Sequence, residues 1–243
     1  MEHAAAMGTV APLANVGLAS RALEAAMHRP GHLPGMVTFY GPSGWGKSTA
    51  AAYAANKHRA YYVECKSAWT RKALLLALCK EMGLEPRRTL YELIDQVAEQ
   101  LVLSGRPLII DELDHIAAKG AVEIVRDVYD ASGAATLLIG EERLPTKLER
   151  WERFHNRMLD WVAAQPASLS DCRHLARLYC PGLEVADDLL AEIHRKTRGN
   201  VRRICVNLER VRAEAAGLGL DRMDRKWWGD REIYTGKPQR RAV

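Results

Sequence analysis

Short apolar runs alternate with longer segments in which apolar residues recur every three or four positions, and that alternation frames the chain. Residues 36–40, 60–64, 108–110 and 136–139 read as strands. Leu108-Ile109-Ile110 is apolar without a break, the pattern of a strand covered on both faces. Residues 13–27 read as a helix, because Leu13, Val16, Leu18, Leu23 and Met27 fall largely on one side, and Pro30, Pro34 and Gly35 end it. Further helices are expected over 48–57, 69–82, 90–103 and 121–131. Gly83 and Pro86 close the second of these, Gly105 and Pro107 the third. Such alternation predicts an α/β domain built on a parallel sheet. From about Pro166 the pattern is helical only, over 168–179, 185–196 and 200–218, so a small helical unit should follow the core.

The turn after the first strand carries the candidate chemistry. Gly41-Pro42-Ser43-Gly44-Trp45-Gly46-Lys47-Ser48 satisfies G-x-x-x-x-G-K-[ST], the phosphate-binding pattern of a P-loop, with a strand before it and a helix after it. The glycines let backbone N–H groups turn inward around phosphate oxygens, and the helix N-terminus adds its positive dipole end. In this pattern Lys47 reaches the β- and γ-phosphates of ATP and Ser48 ligates Mg²⁺, with Thr49 completing the contacting run 41–49. A P-loop also needs a carboxylate at the end of a neighbouring strand. Asp111 directly follows the apolar strand and would hold the magnesium shell, through water; Glu112 is placed to polarise the attacking water as general base. Two acids at that strand end suggest hydrolysis as well as binding. The expected organisation is a loosely ordered segment over 1–12, a nucleotide-binding α/β core over 13–166, a helical lid over 167–220 and a basic, tryptophan-containing tail over 221–243.

Composition narrows the partners more than the fold. At 243 residues, 48% hydrophobic and 27% charged, the chain can bury a full core, which argues against disorder or a coiled coil. No apolar run approaches the ~18–20 residues of a membrane-spanning helix. The N-terminus lacks the basic start and apolar core of a signal peptide, so the expected compartment is the cytoplasm, without a membrane partner. Five cysteines, odd in number and widely spread, argue against a disulfide framework. Cys172, His174 and Cys180 lack the paired spacing of a zinc site and read as small half-buried residues on a helix. A net charge of +5 and a pI near 9.0 permit a polyanionic partner without requiring one.

The P-loop, the Asp111-Glu112 strand end and the helical region after them resemble an AAA+ ATPase: a P-loop parallel-sheet core followed by a small all-helical lid. The resemblance implies that Gly199-Asn200-Val201-Arg202 is a sensor-2 motif in which Arg202 touches the γ-phosphate; the alternative is a surface arginine on a basic helix with Arg198 and Arg203. It also implies that Arg157, in Phe154-His155-Asn156-Arg157-Met158, is an arginine finger acting on a neighbour's nucleotide, with Arg150 and Arg153 as competitors. A finger requires self-association, into a ring or a helical filament. The sensor-1 position stays open between Thr136, inside the fourth strand, and Glu141, after it.

A narrower resemblance is to the B-type transposition proteins of Mu-like phages and related target-selection ATPases of transposons. It is carried by residues 33–47, by Tyr61-Tyr62-Val63-Glu64-Cys65 with Trp69-Thr70-Arg71-Lys72, and by Ile110-Asp111-Glu112-Leu113-Asp114-His115, and it covers roughly residues 13–208. One departure is that a single short predicted helix precedes the P-loop, where the phage Mu protein has an N-terminal DNA-binding domain. The resemblance implies sequence-nonspecific binding of double-stranded DNA with ATP, assembly on target DNA, recruitment and stimulation of a transposase, and discharge on hydrolysis in a bacterial host cell. Lys66, Ser67, Thr70, Arg71 and Lys72 form a candidate DNA face, since such side chains and helix-end N–H groups contact phosphates without reading bases. A solvated cationic helix start is the plainer alternative. Trp69, Trp227 and Trp228 read as packing residues before recognition residues. Two rivals share the nucleotide residues: a helicase or initiator loader, and a P-loop protein switch without DNA.

Overall fold

The computed structural model describes residues 10–117 and 120–237. Of the loosely ordered segment expected over 1–12, residues 1–9 lie outside them, as does the basic finish over 238–243. The chain divides into two compact units, Val16–Ser43 with Lys47–Ala164, and Met1–Asn15 with Gly44–Gly46 and Gln165–Val243.

The first unit holds a five-stranded parallel sheet in the order β2-β3-β4-β1-β5, from β1 (Met36–Tyr40), β2 (Tyr61–Glu64), β3 (Leu108–Asp111), β4 (Thr136–Gly140) and β5 (Met158–Ala163). β3 and β4 are buried along their whole length, which is why they read as unbroken apolar runs. Helices α1 (Ala14–Met27), α2 (Lys47–His58), α3 (Arg71–Glu81), α4 (Leu90–Ser104), α5 (Asp114–Ala117), α6 (Val122–Ser132), α7 (Leu144–Glu149) and α8 (Glu152–His155) fill the connections. Leu74, Leu75 and Leu78 of α3, Leu93, Val97 and Leu101 of α4 and Phe154 of α8 close one core with Leu108, Ile110 and Leu138 of the sheet. Helix ends follow their caps. Thr70 accepts the Ala73 N–H, so α3 begins at Arg71 and leaves Trp69 in the preceding turn, half-buried against the core. Thr89 and Glu92 form a reciprocal capping box at α4, and left-handed Gly105 ends that helix.

The second unit contains α9 (Leu169–Tyr179), α10 (Asp187–Thr197) and α11 (Val201–Leu218), close to the expected spans. It is not purely helical. Two short strands, β6 (Glu184–Val185) and β7 (Arg222–Met223), pair in parallel, and α12 (Arg225–Trp228) follows. Trp228 is buried and its indole N–H donates to the Arg231 carbonyl at 2.9 Å; Trp227 packs less, 53% exposed. Cys172 is fully buried on α9, and Cys180 lies just past the end of that helix, where its thiol donates to the Leu208 carbonyl. Burial pushes the two thiols up, to about 12 and about 11. No helix among the described residues is long and apolar enough to cross a membrane.

β5, α5, α7 and α8 are elements that periodicity did not reveal. β5 is an edge strand bonded on one side only, with a mixed, half-exposed pattern around Asp160, so it lacks the apolar signature of β3. Phe154, fully buried between these elements, is the test of their packing. Phe154→Ala should cost about 3–5 kcal/mol in denaturant unfolding, with an unchanged m-value.

Candidate nucleotide-binding site

The parallel sheet delivers the candidate chemistry to one edge. β1, β3 and β4 pair in register, so Tyr40, Asp111 and Gly140 end at the same side, and the segments after them meet there. The Gly41 N–H donates to the Gly140 carbonyl at 3.3 Å, which brings the loop after β1 to the end of β4. A side chain at Gly41 would meet the Ala164 methyl at 2.9 Å, so that approach needs glycine. Gly44 and Gly46 have φ of +81° and +82°, the left-handed region that lets successive N–H groups point the same way.

Lys47 opens α2 and is only 9% exposed. Its ammonium donates to the carbonyls of Gly41 at 2.7 Å and Pro42 at 3.0 Å, so it lies along its own loop. Burial pushes it below the usual lysine range, against the pull of Glu112, Asp111, Glu141 and Asp114. Ser48 and Thr49 are exposed in the first turn of α2.

Asp111 is 1% exposed and hydrogen-bonded at both oxygens: Oδ1 accepts the Glu112 N–H at 2.8 Å and Oδ2 the Tyr62 hydroxyl at 3.1 Å. Glu112 has φ of +53°, a conformation that costs a non-glycine residue about 1–3 kcal/mol and persists where surroundings impose it. Burial, then the Asp111 charge, holds its carboxyl above the usual carboxylate range, with Lys47 and His115 pulling the other way. Among the described residues, no group of three or more His, Cys, Asp or Glu side chains is arranged to hold a metal by itself. Ser48 and Asp111 offer oxygen donors of the kind a magnesium ion takes, Asp111 through water since both its oxygens already accept hydrogen bonds.

Thr136 begins β4, at the far end of the strand from Gly140, and its hydroxyl donates to the Ala134 carbonyl; Glu141 is at the near end, close enough to act on Lys47 and Glu112. Arg157 precedes β5 and grips Asp130 of α6 with two bonds, Nε to Oδ1 at 2.9 Å and Nη2 to Oδ2 at 3.0 Å. Both side chains are about one-third exposed, which limits such a pair to about 0–1 kcal/mol. Arg150 and Arg153 are exposed. Within the helical unit, Arg202 is exposed on the first turn of α11, and its N–H donates to the Gly44 carbonyl at 3.0 Å; a side chain at Gly44 would collide with Asn200, the cap of that helix.

Lys66, Ser67, Thr70, Arg71 and Lys72 are all exposed between β2 and the start of α3. Some already have work: Thr70 caps the helix, Lys72 donates to the Arg88 carbonyl at 3.2 Å, and the Arg71 guanidinium lies against Gly120. Residues not anticipated are Tyr62, Asp114, Gly140 and Lys147. Tyr62 and Asp114 appear in the sequence only within the segments that carry the transposition-protein resemblance, without a role of their own, and Gly140 and Lys147 are placed by the tertiary structure alone.

Residues 31–148 match the family model described as "AAA domain". No curated protein sequence matches the chain. Among solved structures, Cdc6p of Pyrobaculum aerophilum superposes with a TM-score of 0.63 at 17% identity, over 85% of this chain and 62% of that one. The Orc1 protein of Aeropyrum pernix, in complex with DNA, gives 0.62 at 17%, over 88% and 62%. The RuvB Holliday junction branch migration motor of Thermotoga maritima gives 0.59 at 21%, over 91% and 65%. The chain thus spans less than two-thirds of the length of these proteins. The likeness is one of fold: a P-loop AAA+ NTPase sheet with flanking helices and a helical C-terminal portion.

Tyr62→Phe removes one donor from a nearly fully buried carboxylate. It should destabilise the protein by about 1–3 kcal/mol in chemical unfolding, with little change in secondary structure by circular dichroism.

Proposed function

We propose that this chain, with the fold of the P-loop AAA+ NTPases, is an ATPase that binds double-stranded DNA without regard to sequence while charged with ATP, and is discharged by hydrolysis. The observation that carries this reading is the meeting of Lys47, Asp111 and Glu112 at the carboxyl edge of the sheet. ATP would draw the Lys47 ammonium off the Gly41 and Pro42 carbonyls and onto the β- and γ-phosphates, an exchange of neutral acceptors for charged ones. Ser48 and, through water, Asp111 would hold Mg²⁺, which when bound offsets phosphate charge. Glu112 accepts the proton of the water that attacks the γ-phosphorus, and the bond to the β–γ bridging oxygen breaks to leave ADP and phosphate. A carboxyl raised by burial is the better base, because the proton it takes is held more firmly.

Arg157 is the proposed finger for a neighbouring protomer's nucleotide, which makes a ring or helical filament part of the reading. Its pairing with Asp130 is weak enough for a triphosphate to displace. Arg202 is the proposed reporter of the γ-phosphate. Lys66, Ser67, Thr70, Arg71 and Lys72 are the proposed DNA face, by exposure and charge. Their sequence resemblance to the transposition ATPases supports the finer reading, that the assembled protein delivers target DNA to a transposase and stimulates it, in the cytoplasm of a bacterial host. A second reading, a helicase or initiator loader, shares every nucleotide residue named here, and the fold is also that of an Orc1 protein in complex with DNA. A transposase-stimulation assay separates the two.

Glu112→Gln should bind ATP with near-normal affinity, turn over at least about 100-fold more slowly and stay on a random-sequence duplex; normal turnover removes Glu112 as the base. Lys47→Ala should lose nucleotide binding. In fluorescence anisotropy the wild type should bind duplex tightly only with ATP. Neutralising Lys66, Arg71 and Lys72 together should weaken binding to all sequences and reduce the salt slope by up to about 3, one for each phosphate left without its cation. DNA affinity that ignores nucleotide state would sink the gated reading.

A further inference from the structure

On its β4 side the segment around Glu112 leaves the sheet ladder and rejoins it at fixed points, while Asp111 stays paired with Glu64 of β2. The last β3–β4 pair is Ile110 with Leu138. The next tie between these strands is the Leu113 N–H to the Ile139 carbonyl at 2.9 Å, so Asp111 and Glu112 stand between two anchors. Beyond the second anchor lies Asp114. Its side chain is 6% exposed, and its two oxygens are both used: Oδ2 accepts the Glu141 N–H at 2.5 Å and Oδ1 the Lys147 ammonium at 2.7 Å. The carboxylate fills the space that a side chain at Gly140 would need. One buried carboxylate therefore joins the segment carrying Glu112, the end of β4 carrying Glu141, and α7.

We propose that Asp114 is a positioning residue for ATP hydrolysis, holding Glu112 and Glu141 in fixed places around Lys47 through its bonds to the Glu141 N–H and to Lys147. The inference rests on the ATPase reading above. Its physical basis is the left-handed backbone of Glu112, which relaxes unless both sides of it are held. The β3 ladder holds the side before Glu112 and the Leu113 N–H the side after it, both through backbone; Asp114 adds a side-chain tie from that second side to the end of β4 and to α7. Lys147 keeps the carboxylate aimed, and loses its own partner if Asp114 is removed. A displacement of the order of 1 Å at the base is enough to lower turnover about 100-fold without touching substrate binding.

The test measures ATP turnover, KM and affinity for a fluorescent ATP analogue for the full chain and for Asp114→Ala, Asp114→Asn, Lys147→Met and the Asp114→Ala/Lys147→Met double variant, with Glu112→Gln as reference. Asp114→Ala should lower kcat about 10–100-fold while KM and analogue affinity stay within about threefold. Asp114→Asn, which keeps an acceptor for the Glu141 N–H, should recover part of that loss. Lys147→Met should lower kcat about 3–10-fold, and the double variant should be no worse than Asp114→Ala, because the pair acts as a unit. A purely structural role would instead lower analogue affinity and the thermal midpoint together and leave kcat per folded molecule unchanged. Turnover of Asp114→Asn and Lys147→Met within twofold of wild type overturns the proposal, and these two variants decide it if Asp114→Ala lacks a cooperative melt. If Glu112→Gln turns over normally, the ATPase assignment of the strand end is what fails. If Glu112→Gln is inactive and the Asp114 and Lys147 variants are not impaired, the positioning role alone fails.

Discussion

A strand covered on both faces can present polar chemistry only at its ends. β3 is buried over all four residues, and three of them are apolar; the fourth, Asp111, is the point where the strand stops being hydrocarbon. The same constraint acts on β1 and β4, whose ends lead into the P-loop and into Glu141. Because the strands are parallel and in register, all these ends lie at one edge. Burial of the sheet therefore both drives the fold and gathers its ionisable groups, and a single hydrophobic requirement explains the core and the location of the site.

The gathered charges set the second constraint. Lys47 is nearly buried, a situation that disfavours its charge, and four carboxylates oppose that effect. Asp111 in turn is held by a backbone N–H and a tyrosine hydroxyl, and Asp114 by another N–H and a lysine. Each buried carboxylate thus has a donor for each oxygen, which is what keeps charged groups tolerable in a low-dielectric edge. Glu112 differs: it sits in a strained backbone conformation with its carboxyl raised by burial, the environment that the proposed base would need.

Arg157 shows how a pair of good geometry can still be weak. Its two bonds to Asp130 are geometrically good, yet both partners are open to water, so the pair holds the guanidinium in place at small energetic cost to release. A buried pair of the same geometry would resist release by several kcal/mol. The exposure of the pair, more than its length, decides how firmly Arg157 is held.

How much the sequence determined follows from the range over which each signal acts. The P-loop, the apolar run ending in Asp111-Glu112 and the helix stops at Gly105 and Pro107 are local, because they depend on dihedral freedom, periodicity and a missing N–H; they appear in the structure close to where the chain implied them. Residue type and exposure likewise made Lys66, Arg71 and Lys72 legible as a charged surface. The edge strand β5 was not legible, since one-sided pairing leaves no continuous apolar run, and neither were the two-residue strands β6 and β7. Thr136 and Glu141 were equivalent candidates in the sequence; the direction of β4 separates them by the length of the strand. The pairings of Tyr62 with Asp111, Lys147 with Asp114 and Arg157 with Asp130 join residues 49, 33 and 27 positions apart, and sheet register and helix packing alone bring them together. The sequence by itself determined which groups reach the end of each strand, because burial and local backbone preference act residue by residue; the tertiary structure decided which of those groups meet, because contact across such separations exists only once the sheet has formed.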